Sequence, residues 1–319
     1  MAAGRGVTGA ATPPAHGVVV VDKPAGPTSH DAVDRVRAAL GTRRVGHTGT
    51  LDPFATGVLP VCVGQATRLA RFVGAGEKEY RATVRLGFAT TTDDATGEPL
   101  AAPRAVVADA ARLRAACARL TGPQLQVPPH YSARRQDGRR LYEMARAGVA
   151  VERTPAPVVV HALEVVAAEG DRVELEVRCS AGTYVRALAR DLGEQLGTGA
   201  HLAALRRTRS GGFGLADAVA WDDLPALARA RLVPMDSLLA DLPAARVTAE
   251  GARAVRHGRD LGAALVGEGF PAGAPPERMR LLDERGRLLA LAVPRGFSPP
   301  GPGLPAFPVL HPDVVLAGA

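Results

Sequence analysis

One carboxylate, Asp52, stands inside a run dense in glycine, threonine and proline, GHTGTLDPFATGVLPVCVGQATR at 46–68. Gly46 and Gly49 permit backbone angles that other residues avoid, and Pro53 pushes Asp52 away from helical geometry. The first half, GHTGTLDP, is therefore expected to be neither helix nor strand. The second half, VLPVCVG, is a short apolar run and reads as a buried strand. A rigid loop that carries a single acid, fixed to a core strand, is a way for a fold to present a functional group. The competing reading is an ordinary Asp-Pro turn.

Other residues could join it. Lys23 follows an apolar run and precedes Pro24, as either a solvated turn lysine or one with a functional role. His47 lies five residues before Asp52 and suits a structural hydrogen bond or an active role. Tyr80 falls on the apolar face of an alternating segment, EKEYRATVRLGF, and by pattern alone is a core or sheet-edge tyrosine. Tyr184 and Arg186 fall in the first turn of an amphipathic segment. An arginine there opposes the helix dipole, and that small local cost invites a reason. Residues 123–155 interleave Tyr131 and Tyr142 with arginines that include Arg134, Arg135, Arg139 and Arg140. Guanidinium groups and flat rings on irregular backbone suit phosphates and unstacked bases, although a solvated charged face has the same composition.

The elements that must position these residues follow from periodicity. GVVVVD at 17–22 reads as a buried strand, with Ser29 as N-cap of a helix ending at Leu40 before Gly41. A short helix is expected over 65–73, a half-buried strand over 77–88 and an amphipathic helix over 106–120. Two strands, 158–168 and 172–179, form a hairpin about a Glu-Gly-Asp turn. A helix over 183–196 closes at Gly197, and HLAALRRTR continues the core as a strand. From about Arg246 a small β-rich module with a hairpin around Arg285-Gly286 follows a linker. Residues 1–16 are expected to be a disordered tail.

A chain of 319 residues has room for one large domain and a small one. A formal charge of +7 and a pI of about 10.0 are compatible with a polyanionic partner, although many basic proteins bind no nucleic acid. Of 39 basic residues only Lys23 and Lys78 are lysines, in keeping with a strong compositional bias toward arginine. Cys62, Cys117 and Cys179 are far apart, which points to neither a zinc site nor a disulfide framework. No signal peptide or membrane span is read, and a soluble cytoplasmic protein is expected.

Four segments, taken in order, resemble the TruB family of tRNA pseudouridine synthases over about 17–240. They are KP at Lys23-Pro24, GHTGTLDP, the [KR]-x-Y motif at Lys78-Glu79-Tyr80, and GTYVR ending at Arg186. The resemblance implies an α+β pseudouridine synthase fold, a mixed and mainly antiparallel central sheet flanked by helices, with a PUA-like RNA-binding module at 246–319. It implies isomerisation of uridine 55 in the T loop of tRNA with Asp52, Tyr80 and Arg186 as catalytic residues. Arg186 would pair with Asp52, and Tyr80 would lie against the target uracil. His47 would pack where the extruded base left the RNA stack; Lys23, Asp94, Tyr184 and Leu205 would wall or order the pocket. Tyr131, Arg135 and Arg140 belong to YSA…GRRLYEMAR, which resembles a bacterial insertion that grips the T arm. There the chain departs from the usual pattern at His130 and at Arg134-Arg135, with charge retained. No cofactor, metal, membrane or obligatory protein partner is implied. A guide-RNA-dependent synthase of the dyskerin type and a non-catalytic RNA-folding chaperone are the alternatives.

Overall fold

Alternate valines of β1 (Gly17–Lys23) feed two hydrophobic clusters on opposite faces of one sheet, Val19 and Val21 into the first and Val18 and Val20 into the second. β3 (Thr56–Val63), antiparallel to β1, does the same with Leu59, Val61 and Val63 on one face and Val58 and Cys62 on the other. A strand with both faces buried has no need of polar alternation, which is why both segments read as continuous apolar runs. The computed structural model describes residues 15–107, 109–132, 135–136, 139–140, 153–270, 274–298 and 307–316.

After β1 come α1 (Ser29–Leu40), β2 (Val45–His47), β3, α2 (Ala70–Val73) and β4 (Lys78–Leu86). Next are α3 (Ala110–Arg119), β5 (Gly122–Gln126), the short pair β6 (Arg135–Gln136) and β7 (Arg139–Arg140), β8 (Ala156–Glu169) and β9 (Arg172–Cys179). α4 (Val185–Leu196) and β10 (Ala200–Ser210) complete the large unit, with β11 (Phe213–Gly214), β12 (Val219–Ala220), α5 (Leu224–Leu227) and β13 (Val233–Pro234) along its edge. β14 (Ala244–Arg246), β15 (Met279–Leu282), β16 (Leu288–Ser298) and β17 (Phe307–Val315) form a second, four-stranded sheet, with α6 (Ala249–Arg256) between β14 and β15 in the chain.

The large sheet runs β12-β1-β3-β10-β4-β9-β8-β5, mostly antiparallel, with parallel β3–β10 and β1–β12 contacts. α1, α3 and α4 cover one face through Val33, Val36, Leu113, Leu188 and Leu192. Each such fully buried side chain contributes about 1.5–3 kcal/mol. Along β4 and β9 the other face stays in solvent, where Arg81 and Glu176 pair at 3.2 Å. On β1 and β3 that face is covered by the second sheet, whose Leu288, Leu291, Val314 and Leu316 share a cluster with Val18, Val20 and Val58. The mixed, mainly antiparallel sheet with a small β-rich C-terminal unit is the expected fold class.

Several local expectations change. Gly46 and His47 belong to strand β2, because β3 offers a free antiparallel edge opposite Val61 and Cys62. Thr28, not Ser29, caps α1: its side chain accepts from the Asp31 N–H, and Asp31 Oδ2 accepts from the Thr28 N–H at 2.7 Å. α3 begins at Ala110, since Asp109 caps it by accepting from the Arg112 N–H at 2.7 Å. α4 begins at Val185 rather than Thr183, with Tyr184 as N-cap. The tail expected over 1–16 ends sooner: Ala15 is buried in the core and His16 Nδ1 accepts from the Gln65 N–H at 3.3 Å. Residues 1–14 and Tyr142 lie outside the described residues.

Candidate active site

The loop between β2 and β3 carries Asp52, and its shape is fixed from three sides. The buried Ser29 hydroxyl donates to the Leu51 carbonyl at 2.9 Å and accepts from the Leu51 N–H at 2.8 Å. Lys23, with no exposed surface, donates to the carbonyls of Pro24, Pro27 and Pro53 at 2.8, 2.7 and 3.2 Å. The Gly26 N–H donates to the same Pro53 carbonyl at 2.9 Å. From beneath, Arg207 on β10 donates to the carbonyls of Val58, Thr50 and Gly49 at 2.7, 3.4 and 3.2 Å. β3 and β10 approach so closely that a Cβ on Gly57, at φ +100°, would meet the Arg207 carbonyl at 2.2 Å. Only glycine fits that contact.

Arg186, on the first turn of α4, reaches Asp52 across the cleft. Its Nη2 donates to Asp52 Oδ1 at 3.0 Å. Its Nε lies 2.9 Å from Oδ2, an ion-pair contact poorly aligned for a second hydrogen bond. The guanidinium is 5% exposed and the carboxylate side chain 31%, so the cation is enclosed while the anion faces the opening. Further bonds hold the guanidinium: Nη1 to the Thr92 carbonyl at 3.2 Å, Nη2 to the Tyr131 carbonyl at 2.8 Å, and an ion pair with Asp94 Oδ2 at 3.5 Å. Asp94 is itself fixed through Oδ1 by Thr92 Oγ1, the Thr96 N–H and Thr96 Oγ1 at 2.7, 2.9 and 2.6 Å. The carboxylate partner is the local reason for an arginine at a helix N-terminus. Burial pushes the Asp52 carboxyl above its ordinary range, and the Arg186 charge and hydrogen bond pull against that rise.

These groups border a cleft of about 260 Å³ lined by the 48–52 loop, Gly74, Lys78, Tyr80, the 181–186 turn, Leu205 and Arg207. Thus Asp52, Tyr80, Tyr184, Arg186 and Leu205 come together from a loop, two strands and a helix start. The Tyr80 hydroxyl is held protonated by burial, with the neighbouring Arg207 cation opposing. Tyr184 is anchored through its backbone, which exchanges two hydrogen bonds with the buried Gln126 side chain at 2.8 and 3.1 Å. Asp94 lies behind Arg186, and Lys23 beneath the Pro53 turn. His47, at the end of β2, is half-buried and outside the cleft lining. Tyr131 is exposed and contributes its carbonyl to Arg186. Arg135 and Arg140 pair as backbone partners in the β6–β7 hairpin, and their side chains lie outside the described residues. The sequence patterns did not single out Arg207, and they read Ser29 as a helix cap rather than as the clamp on Leu51. Leu205 and Arg207 are two apart on one strand, and that alternation was the available signal for Arg207.

A guanidinium–carboxylate pair at a cleft floored by tyrosine is a geometry several enzyme families could use, and similarity to known proteins narrows the choice. Residues 37–185 match the TruB family pseudouridylate synthase N-terminal domain, and 186–240 match the tRNA pseudouridylate synthase B C-terminal domain. The tRNA pseudouridine synthase B of Thermobifida fusca (strain YX) is 47% identical over 293 residues, 89% of this chain and 96% of that protein. The chain belongs to the TruB family. The Burkholderia mallei (strain NCTC 10247) tRNA pseudouridine synthase B is 45% identical over 86% of this chain and 92% of its own length. Among solved structures, a TruB-like fold recurs in a chain of an H/ACA ribonucleoprotein bound to a substrate RNA containing 2'-deoxyuridine. It has a TM-score of 0.71 and 25% identity, and the match covers 94% of this chain and 85% of that one. The boundary between the two TruB domain matches falls between Val185 and Arg186, so each side of the Asp52–Arg186 pair comes from a different match. Among the described residues no helix is long and apolar enough to cross a membrane.

Proposed function

We propose that the chain isomerises uridine 55 in the T loop of tRNA to pseudouridine, with Asp52 as the reactive group. The observation that carries this reading is the Asp52–Arg186 pair lining one cleft, its carboxylate the more exposed partner, in a chain of the TruB family. The N1–C1′ bond breaks, the uracil turns within the cleft, and C5 joins C1′ as the C5 proton leaves and N1 is protonated. Nothing is gained or lost overall. Arg186 aims the carboxylate and favours its charged form; Tyr80 supplies a ring against the base, with Leu205 and Tyr184 closing the sides. His47 would pack in the stack that the base vacates, since extrusion costs stacking energy. The Tyr131 segment with Arg135 and Arg140 would hold the T arm, and the C-terminal unit, with Arg253, Arg256 and Arg259 exposed, would add a PUA-like RNA surface.

The expected assay result is direct. A T-arm stem-loop carrying tritium at C5 of the target uridine should release it to water with the wild-type protein. Asp52→Asn should bind the RNA normally and release at least about 10³-fold more slowly, as for loss of a group acting in covalent chemistry. Near wild-type release by that variant would end the assignment. Activity on bare tRNA separates this reading from a guide-RNA-dependent enzyme.

A further inference from the structure

The charged residues that line the cleft are Asp52, Lys78, Arg186 and Arg207, three cations to one carboxylate. Arg186 is matched by Asp52 and, behind it, by Asp94. Lys78 and Arg207 are held otherwise. Lys78 is 5% exposed and donates to the carbonyls of Gly74 and Gly76 at 3.0 and 2.8 Å. Arg207 is 2% exposed and donates to three carbonyls. A buried cation whose neighbours are carbonyl dipoles keeps much of its field, and enclosing it is costly. Burial lowers the Lys78 ammonium to about 8, which leaves it charged at neutral pH. Both sit by Tyr80: Arg207 is its cross-strand partner between β10 and β4, and Lys78 is two residues before it on β4.

The reaction offers the matching anion. If C1′ is attacked or C2′ deprotonated, the electron pair of the N1–C1′ bond departs with the uracil and spreads over N1, O2 and O4. If C6 is attacked, the charge appears on O4 as an enolate. Each route places transient negative charge on the ring and returns it when C5 is bonded to C1′, the C5 proton is lost and N1 is protonated.

We propose that Lys78 and Arg207 form a cationic floor for the cleft that stabilises negative charge on the uracil ring while it is detached or activated. Fixed charges aimed at a developing anion in an enclosed site act on the barrier more than on ground-state binding. A backbone phosphate of the target nucleotide is a second anion that the same cations could meet. Their place beside the Tyr80 ring, in the floor of the cleft, favours the base. The inference rests on the isomerase reading above.

The test uses the full chain, single-turnover consumption of the target nucleotide, and T-arm stem-loops carrying uridine or 5-fluorouridine there. Fluorine stabilises anionic uracil by itself and so stands in for the floor. Lys78→Met should bind the uridine RNA within about threefold of wild type and consume it about 10²-fold more slowly, the loss typical of one removed electrostatic donor. Its defect should shrink severalfold on 5-fluorouridine, and Lys78→Arg should recover most of the rate. Equal defects on the two substrates overturn the proposal, as does equal slowing in Lys78→Met and Lys78→Arg. A loss confined to affinity, with a shallower salt dependence, assigns the cations to a phosphate and also overturns it. Arg207→Lys, scored beside its melting temperature, repeats the fluorouridine comparison at the second position. Wild-type protein that left uridine unchanged would sink the isomerase reading itself, whereas an active wild type with an unaffected Lys78→Met sinks this inference alone.

Discussion

Asp52 and Arg186 form a matched pair, and in the proposed isomerisation pH reads the match. Burial raises the carboxyl and Arg186 lowers it. In the proposed reaction the ionised form is the reactive one, so the rate should climb with pH through a midpoint above the ordinary carboxylate range. Arg186→Met removes the lowering influence and should move that acid limb to still higher pH, with about a 10²-fold loss of kcat at neutrality, as for a lost charge-assisted bond. A pH–rate profile on the T-arm stem-loop checks both; an unmoved limb would show that the pair does not set the carboxyl's charge. Asp52 stood out as a candidate in the sequence because glycine, threonine and proline crowd around one acid. Arg186 was legible because an arginine at a helix N-terminus is locally unfavourable. Arg207 was legible only through its two-residue spacing from Leu205, because in sequence it is one of several arginines in HLAALRRTRS; the sheet turns it inward while Arg206 turns out to pair with Asp22 at 2.8 Å.

At the scale of elements, the site depends on how a turn is bolted to a helix start. Ser29 looked like a cap because serine commonly is one, but Thr28 took that place, and this freed the Ser29 hydroxyl to bind the Leu51 backbone twice. Ser29→Ala leaves two buried backbone groups short of a partner, which costs about 1–3 kcal/mol. The expected result is a lower melting temperature together with a fall in kcat larger than the change in RNA affinity, because the loop beside Asp52 loosens. A melting shift with unchanged kcat would mean that the loop keeps its shape without Ser29. Strands β1, β3, β4, β8 and β9 could be read from apolar runs and alternation. β2 could not, since three residues containing a glycine become a strand only because β3 has an edge for them.

The whole molecule is joined more tightly than a domain-and-linker reading suggests. Leu288, Leu291, Val314 and Leu316 pack on Val18, Val20 and Val58, and Asp313 accepts from Arg71 on α2 at 2.9 Å and pairs with Arg278 as well. Sequence patterns found the C-terminal hairpin but could not show what covers the second face of β1. Ending the chain after residue 240 would expose those valines, and the fragment should be recovered as aggregate or melt well below the full chain in thermal denaturation. A fragment with the melting temperature of the intact protein would count against the shared core. This joint also carries a metrological consequence. Any surface on the C-terminal sheet lies at a set offset from Asp52, so a ligand that touched both would be gauged by its own dimensions. A duplex one turn too long or too short could satisfy one end only, and the protein would act as a calliper whose jaws are already set.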